Sequence, residues 1–173
     1  MCIRDRLCRA NTICRNFTID GDGLGVVDSV VLMSAHGIGN NTVLETYNCR
    51  FKKATSITVR TGDGALGHVS KDCIYEMSSG FQDLLAINVT KYAIIHDNVL
   101  DNSNGSDVTG SCITAGGAIR VSVCNNIIIG DSSTSGQFHG ISMENWGNYE
   151  DVLIDGNIIS VSYTHLRAHE TSL

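Results

Sequence analysis

The sequence predicts an all-β protein built as a right-handed, single-stranded parallel β-helix of about six rungs. Three observations predict it. One eight-residue pattern recurs six times along the chain. Short stretches rich in Val, Ile and Thr are punctuated every few residues by Gly, Asn, Ser or Asp. Proline is absent and no long apolar stripe of helical period appears, so helix is expected to be marginal.

The pattern reads apolar, any, apolar, any, any, small or Asn, any, large apolar. Its instances span residues 12–19, 44–51, 68–75, 93–100, 121–128 and 152–159. The last position is Ile19, Phe51, Tyr75, Leu100, Ile128 and Ile159 in turn. The small-or-Asn position is Phe17, Cys49, Cys73, Asn98, Asn126 and Asn157, at separations of 32, 24, 25, 28 and 31 residues. The third instance is the weakest, because His68 and Ser70 stand where apolar residues are expected.

A short strand with period-two alternation points one face inward but cannot bury that face alone. Stacked copies bury a continuous column. Each large side chain removed from water contributes roughly 1.5–3 kcal/mol. The small-or-Asn column belongs at a tight turn between two strands of a rung. Asn tolerates left-handed backbone there, and stacked amides can bond along the axis as a ladder. A second strand per rung is expected around Ile57 to Val59, Ala86 to Val89, Ile113 to Thr114 and Ile141 to Met143. Gly- or Asp-rich stretches such as Thr61 to Gly64 and Asp101 to Gly110 are expected to be loops that absorb the length variation.

Residues 1–6 and 160–173 resemble translated sequencing-adaptor DNA, in the two orientations that a library molecule carries. The biological span is therefore expected to be residues 7–159, a single-domain metagenomic fragment of a longer β-helix. The net charge of −6 argues against nucleic acid or an anionic membrane as partner, since Arg50, Lys52 and Lys53 are the only basic cluster. No apolar run reaches the roughly 18 residues of a membrane span. Of the seven cysteines none forms a C-x-x-C pair, so buried thiols are expected instead of a zinc site, with disulfide pairing left open.

Residues 11–21, Asn-Thr-Ile-Cys-Arg-Asn-Phe-Thr-Ile-Asp-Gly, resemble the early-rung segment of pectate-lyase-like and polygalacturonase-like β-helix proteins. Asn48-Cys-Arg-Phe51 and Asp155-Gly-Asn-Ile-Ile159 are similar to the recurring turn motifs of that superfamily. The resemblance covers nearly all of residues 7–159 and is specific for the fold, not for the activity. It implies one of polysaccharide lyases, glycoside hydrolases, epimerases, phage tail-spike depolymerases or non-catalytic surface proteins.

Phe138-His139-Gly140-Ile141-Ser142 resembles the Gly-His-Gly-Ile-Ser motif of polygalacturonases, whose His lies near paired carboxylates. Inverting hydrolysis needs two carboxyl groups roughly 6.5–9.5 Å apart. The family's Asp-Asp pair precedes a Cys-Ile-Ala-like strand, where this chain has Gly110-Ser111-Cys112-Ile113-Thr114, without the pair. His139 then reverts towards a rung residue at a loop-to-strand junction. The catalytic candidates are Asp131, His139 and Glu144. Asn145, Trp146 and Tyr149 are the substrate-binding candidates, because a loop aromatic next to a carboxylate suits sugar stacking. Trp146 as a cap on a hydrophobic column is the alternative. Asp97, Asp101 and Asp107 flank an irregular loop; calcium or acid-base roles compete there with solvated turn carboxylates. Calcium would need six to eight oxygen ligands, which no motif supplies, so no metal or other cofactor is assigned.

Two functions are expected from the resemblance and this segment. One is a secreted lyase or glycoside hydrolase cleaving an extracellular polysaccharide. The other is a phage tail-spike or adhesin whose shaft binds glycan without cleavage, as a homotrimer in the tail-spike case. Either way the expected location is extracellular, at a cell surface or on a virion.

Overall fold

Every pairing among the described strands is parallel. The computed structural model describes residues 6–7, 11–21, 33–36, 42–54, 58–77, 83–103, 111–131, 139–144 and 149–162. No helix occurs among the described residues. The strands stack as three faces of a solenoid. The first face holds β1 (Arg6–Leu7), β4 (Met33–His36), the opening halves of β7 (Val59–Lys71) and β9 (Leu85–His96), β11 (Ser111–Gly116) and β14 (His139–Glu144). The second holds β2 (Thr12–Arg15), β5 (Val43–Tyr47), the closing halves of β7 and β9, β12 (Arg120–Cys124) and β15 (Asp151–Asp155). The third holds β3 (Thr18–Asp20), β6 (Arg50–Ala54), β8 (Ile74–Met77), β10 (Val99–Asn102), β13 (Ile127–Asp131) and β16 (Ile158–Ser162). The ordered strands thus begin at Arg6 and end at Ser162, on either side of the expected 7–159 span.

The six repeat instances lie in register. On the third face Ile19 pairs with Phe51, Phe51 with Tyr75, Tyr75 with Leu100, Leu100 with Ile128 and Ile128 with Ile159. Phe51, Tyr75, Leu100 and Ile128 are wholly buried. Ile159, in the last strand, is 50 % exposed because nothing described stacks beyond it. The rings continue the file: Phe51 and Tyr75 stack at 5.1 Å, and Phe17 meets Phe51 edge-on at 5.8 Å. A second file on the second face runs Leu44, His68, Ala93 and Val121, all buried.

The solenoid amounts to about four turns, against the six rungs expected. The repeat counts strands, and the first and last sets each have one open side. Strand β15 is exposed at all five positions, and β2 alternates between half-buried and exposed. Only the four sets between them close around a filled interior.

Two local expectations are corrected, and the weak third instance is accounted for. The ladder forms, but the left-handed backbone belongs to the residue before it: Asn16, Asn48, Asp72, Asp97 and Asn125 have φ between 48° and 58°, and Gly156 has φ 63°. That preceding residue turns the chain, leaving the ladder amide free to point inward. Thr61 to Gly64 is not a loop: it lies inside β7, and the extra length is absorbed by register shifts between Thr61 and Gly67. The weak third instance is compensated from within. Ser70 Oγ lies 2.6 Å from the Tyr75 hydroxyl and donates to Asn98 Oδ1 at 3.0 Å, so a polar strand residue serves a buried phenol.

Cys49, Cys73, Cys112 and Cys124 carry free thiols. These four are buried and Cys14 is half-buried.

Candidate functional site

The expected site residues do not converge. His139 opens β14 and Glu144 closes it, five steps apart along one strand. At about 3.3 Å per residue their Cα atoms are roughly 16 Å apart, and an odd number of steps points them to opposite sides of the sheet. Asp131 ends β13 on a different face, and its side chain lies outside what is described. Asn145 and Trp146 also lie outside the described residues, as does Asp107. Tyr149 is half-buried against the core, and its hydroxyl donates to the carbonyls of Ala115, at 2.8 Å, and Glu144. Those bonds strap the chain after β14 back onto the first face. Asp97 is a turn residue ion-paired with Lys71 at 3.8 Å, and Asp101 accepts from the Ser103 backbone and hydroxyl. Among the described residues no three His, Cys, Asp or Glu side chains come together as metal ligands.

His139 does acquire neighbours that the sequence reading passed over. It pairs with Ser111, one turn back, and Ser111 N–H donates to Asp83 Oδ1 at 2.8 Å, a further turn back. The three form an axial file at the start of the first face. Burial pushes the Asp83 carboxyl up, while bonds from the Ser111 N–H and the Thr114 hydroxyl pull it down. Beside it, burial first, then the carboxylates of Asp101 and Asp83, push the Cys112 thiol up. With Ser111 between them, the file offers one partly desolvated acid, Asp83, and an exposed imidazole, His139. Equal spacing was the available signal: Asp83, Ser111 and His139 are each 28 residues apart.

A larger feature lies on the outer side of the second face. A groove of about 1030 Å³ runs over β9, β12 and β15, lined in part by Lys91, Tyr92, Ile94, Arg120, Glu150 and Asp151. That volume is at the upper end of ligand-sized pockets, roughly 300–1,000 Å³. Alternation along the strands sets its chemistry. Tyr92, Arg120 and Asp151 are successive members of one outward column, with Gly67 preceding Tyr92. Ile94, Ser122 and Leu153 form the next column. Arg120 Nε lies 3.3 Å from Asp151 Oδ2 at the solvent edge. Towards the first turn, in a separate column four residues further along the strands, Tyr47 donates to Glu45 Oε2 at 2.9 Å, and the Arg15 guanidinium lies 5.0 Å over the Tyr47 ring. Burial and the Glu45 carboxylate push the Tyr92 phenol up.

Fold and site together define the chain as a parallel β-solenoid with an outward column of Tyr92, Arg120 and Asp151 along its axis. Comparison with protein-family models, curated proteins and solved structures finds no match.

Proposed function

We propose that this is a carbohydrate-active β-solenoid that binds an extracellular polysaccharide along the outer side of its second face. The carrying observation is the outward column of Tyr92, Arg120 and Asp151 that runs along the axis in the groove. Aromatic faces suit the apolar faces of sugar rings. An Arg–Asp pair supplies planar donors and acceptors for hydroxyl or carboxylate groups. The repeat of about 4.8 Å between stacked strands is close to the length of one pyranose unit, which favours a periodic ligand lying along the axis. The groove carboxylates Glu150 and Asp151 are exposed, and Asp151 is ion-paired. That environment suits hydroxyl recognition better than general-acid chemistry, which needs a desolvated carboxyl.

Calorimetric titration with hexasaccharides of glucose, xylose and galacturonic acid tests the reading. Saturable binding to at least one, weakened by Arg120→Ala, is expected. Failure to bind any of the three, by a chain shown to be folded, would remove it.

Hydrolysis of that polysaccharide is a second reading, favoured by the partly desolvated Asp83 in file with Ser111 and His139. A reducing-end assay on the same sugars should then show release that Asp83→Asn and His139→Ala abolish. Release that survives both substitutions would place the chemistry elsewhere. Binding without any release would leave a glycan-binding shaft.

A further inference from the structure

Gly67 and Tyr92 are opposite one another in β7 and β9, and both belong to the groove's outward column. A methyl group built at Gly67 would overlap Cζ, Cε1 and Cε2 of the Tyr92 ring. The nearest atoms are ring carbons, not the hydroxyl oxygen, so the face of the ring covers the glycine. Tyr92 is therefore laid down along the solenoid axis towards the preceding turn, not raised into solvent. Its inner face rests on backbone. Its half-buried state leaves outer surface on the groove side, one turn from Arg120.

We propose that Gly67 is a positioning residue: its missing side chain seats Tyr92 as a flat stacking ledge for one pyranose ring, with Arg120 beside it for that ring's polar edge. This rests on the polysaccharide reading above and names the subsite within it. Any larger residue at position 67 forces the ring off the sheet, and a tilted ring offers its edge in place of its face. Gly67 is not in the left-handed region, so alanine is conformationally permitted there. The atoms that must give way are the far end of one side chain, so the cost falls on the ledge and not on the fold.

Three variants titrated with the same hexasaccharides test this, with melting temperature recorded for each. Tyr92→Ala is expected to lose about 3- to 10-fold in affinity, the range of one aromatic stacking contact. Gly67→Ala is expected to lose a similar factor with the Tyr92 ring intact, and Tyr92→Phe to stay within about 2-fold of the parent, since the stacking face survives. Parent-like binding by Gly67→Ala would overturn the ledge, as would Tyr92→Phe binding as poorly as Tyr92→Ala. Loss on Arg120→Ala alone would keep the glycan reading and remove the ledge. A parent chain that binds none of the sugars would remove both. Should Gly67→Ala melt early, the Phe and Ala variants of Tyr92 decide the matter.

Discussion

Asn98 and Asn126, 28 residues apart, stack amide over amide: Asn98 Nδ2 donates to Asn126 Oδ1 at 3.0 Å. The same Oδ1 accepts the Asn98 backbone N–H at 3.0 Å, and Asn126 Nδ2 reaches the Ile95 carbonyl at 2.9 Å. Asn126 repeats the first two bonds with Asn157. Each amide thus satisfies a turn that the backbone cannot satisfy alone. Asn126→Leu keeps the volume but strands one N–H of the Asn98 amide, the Asn98 backbone N–H and the Ile95 carbonyl inside. At about 1–3 kcal/mol for each unsatisfied buried group, a loss of roughly 3 kcal/mol or more is expected by urea unfolding. Asn157→Leu, at the open end, should cost clearly less. Equal losses at the two positions would mean that the ladder is not what holds the turns.

The Tyr75 hydroxyl lies 2.6 Å from Ser70 Oγ and 3.3 Å from Thr46 Oγ1, all three buried. Tyr75→Phe and Ser70→Ala should each cost about 1 kcal/mol. The double variant should cost less than the sum, with a coupling energy of 0.5 kcal/mol or more read from a thermodynamic cycle at about that scale. Additive losses would show that the two hydroxyls stabilise nothing jointly.

The inward file was legible because packing repeats: one large apolar residue at a fixed offset, six times, can only be buried by stacking. The second strands, read from Ala86, Ile113 and Ile141, were legible for the same reason. The outer groove was not, because outward columns carry no packing constraint. Tyr92, Arg120 and Asp151 share no residue type, and only register makes them neighbours. Asp83 carries no local motif, because its partners Ser111 and His139 arrive from the two turns that follow it. The left-handed residue was assigned one place late because both neighbouring columns are rich in Asn, and sequence alone does not say which one turns the chain.

His68 is wholly buried in β7, its Nδ1 3.5 Å from Thr61 Oγ1 and its Nε2 without a protein partner. Burial lowers its pKa from 6.5 to about 3. Below pH 6.5 the unfolded chain takes up a proton that the folded chain refuses until about pH 3. Stability from this group is therefore full above pH 6.5 and falls as pH drops through that window, by up to roughly 1.4 kcal/mol per pH unit. His68→Leu should flatten the acid limb of a melting-temperature profile between pH 6 and 4. An unchanged slope would show that His68 is hydrated or protonated in the folded state.

Gly156 occupies the turn position that Asn or Asp fills in the other five repeats, with φ 63°. Side chains are tolerated at those five, yet a methyl group built on Gly156 would overlap the Oδ1 of Asn125, the same turn residue one rung earlier. Two costs therefore coincide at this one position. Left-handed backbone penalises any Cβ by about 1 kcal/mol, and the neighbouring amide must move. Gly156→Ala should destabilise by roughly 1–2 kcal/mol in urea unfolding. Asn125→Gly clears the overlap, so Gly156→Ala made in that background should recover part of the loss and leave the left-handed penalty alone. No recovery in the double variant would mean that backbone strain, not the crowded amide, fixes glycine here.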